Sequence, residues 1–348
     1  MIFTASDFDN HEKVLFCTDT RTNLKAIIAI HSSRLGAAAG GCRMYPYASE
    51  REALDDVLRL SRAMTYKNAL AGLKLGGGKS VIIGDPAELG ASDRLAAFGR
   101  CVEALGGAYW TAEDVGVNVD ALEHVARTTR YVFGTKSRKG ATGDPSAFTA
   151  RGVFAGLRAA VRHRLGRENI LGLRVAVQGV GAVGWELCSL LHNHGAKLVV
   201  ADHNSGATER ARRAFNAQVC ASERVHAADV DVLAPCALGG TLNERTILEI
   251  TATVVAGAAN NSLKNAAAGA ELRRRGILYA PDFVINAGGM MHASAEIFGS
   301  HDTAAVTRAI DGIYETVIRV CSRAQAENTL PELVAQQLAI ESLLHAEN

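Results

Sequence analysis

The chain has 348 residues, 48% of them hydrophobic and 21% charged, with a formal net charge of +1. That is room for two domains of ordinary size in a globular protein, and so balanced a charge gives no pull toward nucleic acid or an anionic membrane. No apolar run is long enough to span a bilayer, and the start, Met-Ile-Phe-Thr-Ala-Ser-Asp, lacks the basic region of a signal peptide. Seven cysteines, odd in number and without metal-type spacing, read as free thiols in a reducing, cytoplasmic compartment, and no metal site is expected.

Residues 13–17 and 25–31 read as strands joined by a polar turn. In the run Leu35 to Met44, Gly40 and Gly41 suggest bare backbone facing something, with a plain loop as the alternative. A capping box, Ser49 with Glu52 three residues on, then opens a helix. Its apolar positions, Ala53, Leu54, Val57, Leu58, Leu60 and Met64, keep helical spacing, and Lys67 closes it on the same face. Gly76-Gly77-Gly78 reads as a turn stripped of side chains, where a ligand can come close. Lys79 opens a buried strand, Val81-Ile82-Ile83. A lone lysine is usually a surface charge, but two of them bracketing a glycine-rich turn give the functional reading equal weight. Gly-Gly-Lys-Ser also resembles the end of a phosphate-binding P-loop. That loop needs a glycine where Leu73 stands, and it follows a strand rather than a helix, so the triphosphatase reading is set aside.

A helix over Ser92 to Leu105 leads to a strand, Ala108 to Thr111, ending in Glu113-Asp114-Val115-Gly116. Acids at the carboxyl end of a strand sit where open α/β sheets place their ligand chemistry, although a cap or surface acid is the plainer reading. Asn118 caps a helix through Ala126, and Gly134 to Pro145 has the composition of a linker. After a helix from Ser146 to His163, residues 173–178 form a strand of the parallel-sheet kind. Gly179-Val180-Gly181-Ala182-Val183-Gly184 follows, then a helix, a strand from Lys197 to Ala201, and Asp202. Strand, GxGxxG, helix, strand and acid in about thirty residues are together a strong dinucleotide signal. Asp202 would accept from the ribose 2′-hydroxyl and repel a 2′-phosphate. That predicts NAD over NADP, with Arg210, Arg212 and Arg213 as the features pointing the other way. Strands at Val230 to Leu233, Thr253 to Ala256 and Ile277 to Ala280 lead into turns containing Cys236, Asn260, Asn261, Gly288 and Gly289, which should line the nucleotide side. Two long helices, Ala304 to Glu327 and Pro331 to His345, close the chain.

These residues together resemble the glutamate/leucine/phenylalanine/valine dehydrogenases, most closely the branched-chain and aromatic L-amino-acid branch. The resemblance covers nearly the whole chain. It rests on Gly-Gly-Cys-Arg-Met at 40–44, the 64–83 block, Thr-Ala-Glu-Asp-Val-Gly at 111–116, Gly-Asp-Pro-Ser at 143–146, the nucleotide fingerprint, Ala-Pro-Cys-Ala at 234–237, Ala-Asn-Asn at 259–261 and Ala-Pro-Asp-Phe-Val-Ile-Asn-Ala-Gly-Gly at 280–289.

The resemblance implies an α/β fold with two domains and a cleft between them. The N-terminal amino-acid-dehydrogenase domain would span 1–138, joined by a C-terminal helix at about 328–348, and a doubly wound Rossmann-type NAD domain would span 139–327. It implies NAD-dependent, reversible oxidative deamination of an apolar L-amino acid to the 2-oxo acid and ammonium. Lys67 would hold the substrate carboxylate, Lys79 would be the base that activates water, and Asp114 its acid/base partner. Gly40, Gly41 and Asn261 would contact substrate, with Ala39, Met290 and Ala293 shaping the side-chain pocket. Ser146, Thr149, Cys236 and Asn260 would join Gly179 to Gly184 and Asp202 on the cofactor. Physics favours the lysine pairing: a lysine base must be less basic than a free amine to work near neutral pH, and a neighbouring ammonium makes it so. Ala39 stands where leucine-preferring relatives carry something bulkier, His292 looks more like the phenylalanine branch, and Val117 and Ser262 depart from the common pattern. The absence of charge at the pocket positions argues against glutamate. A homodimer is expected, an octamer being the alternative, and a catalytically silent NAD-binding regulator is the competing function.

Overall fold

The computed structural model describes residues 2–136, 143–237, 239–299 and 302–345. The chain divides into two compact units: residues 1–144, 293–301 and 339–348 form the first, and 145–292 with 302–338 form the second. Most of the expected linker, residues 137–142, lies outside the described residues.

The first unit is built on a five-stranded sheet. Its elements are β1 (Lys13–Asp19), β2 (Leu24–Ser32), β3 (Ala38–Tyr45), α1 (Glu50–Leu70), β4 (Gly76–Ile83), α2 (Ala91–Glu103), β5 (Tyr109–Ala112) and α3 (Val119–Ala126). The strand order is β1-β2-β4-β3-β5. β3 runs parallel to β4 and β5, while β2 is antiparallel to its two neighbours. The Ser49 cap forms as read, the Glu52 amide donating to Ser49 Oγ at 3.1 Å, while Glu52 Oε2 reaches one residue past the cap and accepts from the Ala48 amide at 2.9 Å. One face of the sheet packs under α1, with Ile27, Ala29 and Val81 against Ala53, Val57 and Leu58. The other face packs Ile28, Met44, Ile82 and Tyr109 against Phe98, Val102, Leu122 and Val125 of α2 and α3.

Two expectations change here. Gly76, Gly77 and Gly78 are not a turn; they are the first three residues of β4. The turn comes earlier, at Gly72, whose φ of +66° suits glycine, so α1 runs on to Leu70 and Lys67 lies in its last turn. Nor are the three glycines bare toward a ligand. A Cβ on Gly76 would overlap the Ser32 carbonyl, one on Gly77 would overlap Thr65, and one on Gly78 would stand 2.7 Å from the Tyr109 ring. They are small so that the protein can close on itself. Gly40 and Gly41 likewise lie within β3 rather than in a loop.

The second unit holds a six-stranded sheet. The elements from here on are α4 (Ser146–Leu165), β6 (Arg174–Gln178), α5 (Ala182–Asn193), β7 (Lys197–Ala201), α6 (Ser205–Phe215), β8 (Gln218–Val219), β9 (Val232–Pro235), α7 (Thr246–Glu249), β10 (Val254–Val255), α8 (Ala266–Arg274), β11 (Leu278–Tyr279), α9 (Asp282–Ile285), α10 (Gly288–Phe298), α11 (Thr303–Asp311), α12 (Ile313–Ala326) and α13 (Pro331–His345), of which α10 from Ala293 and α13 from Ala339 belong to the first unit. The order β11-β10-β9-β6-β7-β8 is parallel at every pairing. Strand order reverses between β6 and β9, which is the doubly wound arrangement whose switch point takes a dinucleotide. The first of the two closing helices is interrupted at Gly312, giving α11 and α12. Gly288 and Gly289, read as a turn, begin α10; a Cβ on either would overlap the Phe148 carbonyl or Thr149 Oγ1.

Candidate active site

In the first unit the alternation of β4 decides where Lys79 points. Gly77 abuts Thr65 of α1 and Val81 packs under α1, so Lys79 between them faces the same side. That face is closed by the C-terminal half of α1. Met64 stands over Gly40, and the Asn68 amide donates to the Gly76 carbonyl at 2.7 Å. Lys67, three residues beyond Met64 and one before Asn68, is half-buried there.

Asp114 arrives from the turn after β5. Its amide donates to the Val117 carbonyl at 3.1 Å, and the Val117 amide returns a bond to Asp114 at 2.9 Å. Between them Gly116 takes a φ of +76° and lies so close to the Met44 carbonyl that no side chain fits. The Met44 amide also donates to Val115 at 2.9 Å. The carboxylate is therefore placed by three backbone bonds on a stiff sheet edge, and it forms an ion pair with Lys79 through Oδ2. Both side chains are withdrawn from solvent, at 9% exposure for Lys79 and 16% for Asp114.

A third group meets them that the sequence reading did not single out. Arg43 Nε stands 3.5 Å from the same Oδ2 of Asp114, and Arg43 Nη1 donates to Asp56 Oδ2 at 2.9 Å. The Tyr47 hydroxyl donates to that Asp56 oxygen at 2.7 Å, and Arg59 Nη2 donates to the other at 2.6 Å. Arg43 lay inside the quoted Gly-Gly-Cys-Arg-Met run; the signal was a charged residue in a strand otherwise built of small and apolar ones. Burial alone would raise the Asp114 carboxyl, but the Lys79 and Arg43 cations outweigh it and hold it at about 2. Asp114 is thus a carboxylate at neutral pH, a hydrogen-bond acceptor and an electrostatic partner for a cation. Its neighbour Glu113 moves the other way, raised by burial and by the charges of Asp144 and Asp114.

Beneath the cluster, the Tyr109 hydroxyl donates to the Gly40 carbonyl at 2.8 Å and lies 3.1 Å from Ser80 Oγ. A Cβ on Gly41 would come within 2.9 Å of Asp114 Cβ. Gly40 and Gly41 are therefore brought to the cluster, and Ala39 is wholly buried in the same strand, its carbonyl 3.5 Å from the Asn68 amide.

In the second unit the three glycines of the fingerprint do three different things. Gly179 takes a φ of +94° and turns the chain against Ala237. Gly184 packs on the Gly179 carbonyl, bringing α5 close to the strand, with Cys236 Cβ 3.5 Å from where its own Cβ would be. Only at Gly181 would an added Cβ meet nothing within 4 Å, and Gly181 caps α5 without any side chain. An open position at an uncapped helix N-terminus is what a pyrophosphate requires, and Val180, Ala182 and Val183 complete the turn. Asp202 is locked against it: Oδ2 accepts from the Val180 amide at 2.7 Å and Oδ1 from the Asn204 amide at 2.8 Å. Each oxygen keeps acceptor capacity for a ribose hydroxyl. The three nearby arginines are engaged elsewhere. Arg210 stacks over the Trp185 ring at 4.3 Å, and Arg212 and Arg213 both bond to Glu209. These residues fit a dinucleotide with a free 2′-hydroxyl.

Around the same unit, Ser146 opens α4 and Thr149 Oγ1 donates to the Pro145 carbonyl at 3.1 Å. Asn286 donates to Asn260 Oδ1 at 2.7 Å, fixing that side chain, and Asn261 is exposed with a φ of +51°. Met290 and Ala293 are three residues apart on α10 and so share a helix face. His292 stacks on Phe148 at 3.6 Å between ring centres. All seven cysteines are free thiols, and among the described residues no cluster of ligating side chains could hold a metal ion. No helix among them is long and apolar enough to cross a membrane.

Two family descriptions match the chain: the Glu/Leu/Phe/Val dehydrogenase dimerisation domain over residues 11–131, and glutamate/leucine/phenylalanine/valine dehydrogenase over 134–211 and 203–348. A leucine dehydrogenase of Thermoactinomyces intermedius is 44% identical over 342 residues, covering 98% of this chain and 93% of the relative. A valine dehydrogenase of Streptomyces virginiae is 42% identical over 344 residues, covering 98% and 96%. Among solved structures, the L-tryptophan dehydrogenase from Nostoc punctiforme superposes with a TM-score of 0.85 at 40% identity, over 97% of each chain.

Proposed function

The chain belongs to the Glu/Leu/Phe/Val dehydrogenase family, and from that premise we propose that it catalyses the NAD-dependent, reversible oxidative deamination of an apolar L-amino acid to the 2-oxo acid and ammonium. The observation that carries this reading is the buried Lys79–Asp114 pair on the sheet face covered by α1, the helix that carries Lys67.

When bound, NAD supplies the acceptor for the hydride that leaves the substrate α-carbon. The residues of this chain supply the rest. Lys67 holds the substrate carboxylate as a point charge. Asp114, ionised at working pH, takes a proton from the substrate ammonium and stabilises the positive charge that develops at that nitrogen as hydride departs. Lys79, as the free amine, removes a proton from the water that adds to the α-carbon. Asp114 then returns its proton to the amine nitrogen, the carbinol O–H gives up its proton as the C–N bond breaks to leave the C=O of the 2-oxo acid, and the departing ammonia takes the proton held by Lys79 to become ammonium, so that one proton is released for each hydride transferred. In this assignment the first unit carries the acid–base chemistry and the second the NAD site. The uncharged residues Ala39, Met290 and Ala293 are each assigned to recognition of the substrate side chain, with leucine, valine, phenylalanine and tryptophan as the class to test.

The test is NADH formation with those four amino acids at alkaline pH; no turnover with any of them would overturn the reading and leave the non-catalytic regulator. We also assign a homodimer, supported by the match of residues 11–131 to a domain described as a dimerisation domain. Light scattering on a size-exclusion column would give a mass of two chains, and eight would replace that assignment. A cytoplasmic location is supported by the seven free thiols; fractionation of the host cell would check it.

A further inference from the structure

We propose that Arg43 is a positioning residue for this deamination, a permanent cation that shares the Asp114 carboxylate with Lys79 and so makes the neutral Lys79 amine easier to form. The proposal rests on the function assigned above. Its ground is the geometry: two cations, Lys79 Nζ and Arg43 Nε, converge on one oxygen, Asp114 Oδ2.

The charges explain why the third member matters. A buried lysine matched one-to-one with a carboxylate resists losing its proton, because the carboxylate would be left buried and unpaired. With Arg43 present that cost is removed. Asp114 remains paired after Lys79 has given up its proton, and a guanidinium cannot be deprotonated in its place. Asp56 does not upset this balance. It sits between Arg43 and Arg59 and is held by Tyr47, so its charge is spent on arginines. Lys79, Arg43, Arg59, Asp114 and Asp56 then carry one net positive charge with Lys79 protonated and none with it neutral. Without Arg43 the same step would run from neutral to one buried negative charge.

Arg43 is held for the purpose. Its side chain is 20% exposed, its buried Nε has no hydrogen bond of its own, and its Nη1 is anchored on α1 through Asp56. The other titratable groups facing the cluster do not replace it. Cys42 is pushed up to about 12 by burial, and Tyr109 is raised by burial, so both stay neutral. Glu113 is an acid, with Asp144 beside it, and Lys67 is committed to the substrate carboxylate in the assignment above.

The experiment is the pH dependence of kcat/KM for wild type, R43Q and R43K, with NAD affinity as the check on folding. In R43Q the acid limb should move up by about one pH unit or more. That would be a roughly tenfold loss near neutral pH recovering at high pH, with R43K keeping the limb near wild type. A uniform loss in R43Q at every pH, with the limb unmoved, would overturn the proposal and leave Arg43 a structural residue. Should R43Q not fold, D56N takes its place: it removes a negative charge from the cluster and releases Arg43 to Asp114, so a limb moved down supports the proposal and an unmoved limb overturns it. A wild type inactive on every amino acid tested overturns the function itself; an active wild type with an unmoved limb in the variant overturns only the role of Arg43.

Discussion

Glycine is concentrated in two places in this molecule, and the two use it in opposite ways. In β3 and β4 the missing side chains of Gly40, Gly41, Gly76, Gly77 and Gly78 are replaced by the protein itself: a carbonyl, a threonine, a tyrosine ring. In the turn after β6, Gly181 leaves open space. The first region gains close packing, which sets Lys79, Asp114 and Arg43 on a rigid surface. The second gains room at a helix N-terminus. A glycine-rich run is therefore no evidence of a ligand until the space beside each glycine is known.

The largest expected effect removes the chemistry from the packed region while leaving the open one intact. Lys79→Ala should lower turnover roughly a hundred- to ten-thousand-fold, the range for a lost general base, with NAD affinity unchanged by equilibrium titration. Retained turnover would place the base elsewhere. The sharpest form of the comparison is a pair of alanines. Gly77→Ala should cost about 3 kcal/mol in urea unfolding, because its methyl meets the backbone and hydroxyl of Thr65. Gly181→Ala, at a φ of −70° that alanine adopts freely, should leave stability unchanged and weaken NAD instead. Equal stability losses in the two variants would erase the distinction drawn here.

A smaller effect reads the charges of the packed region. The Asp114 carboxyl is near 2 in the folded chain and near 4 when unfolded, so its contribution to stability is complete above about pH 5 and is lost as pH falls from about 4 toward 2. Wild type should lose about 2 kcal/mol over that window relative to Asp114→Asn. Parallel stability curves for the two would mean that the ion pairs contribute nothing net. The smallest effect belongs to the open region: Asp202→Asn keeps the shape but removes the charge at the ribose acceptor. It should weaken NAD about tenfold, and an unchanged dissociation constant would remove Asp202 from the site.

Much of this was legible in the chain, and where it was not the reason is physical. The Ser49 cap of α1, the β6–turn–α5 unit and Asp202 are local patterns, and each lies where spacing placed it. Lys79 and Asp114 were readable as types at telling positions, a lysine in a glycine-rich stretch and an acid at the end of a strand. The glycines of β4 were misread because strands are recognised by alternating side chains, and three glycines offer none. α10 was missed because Gly288-Gly289 is a poor helix start, which packing against α4 overrides. Arg43 and Asp56 are thirteen residues apart and meet only because α1 folds back over β3; no local pattern announces a partner across a sheet face.

The locked carboxylate of Asp202 and the occupied arginines around it set the terms for anyone who would re-engineer this enzyme to run on NADP. If Asp202 holds the ribose as assigned, replacing it would delete a hydroxyl acceptor without creating a phosphate receptor, because Arg210 lies flat on Trp185 while Glu209 keeps Arg212 and Arg213. A successful exchange has to unseat one of those cations as well, so the coenzyme choice is written in at least two places, and single substitutions there should yield weak dehydrogenases before they yield switched ones.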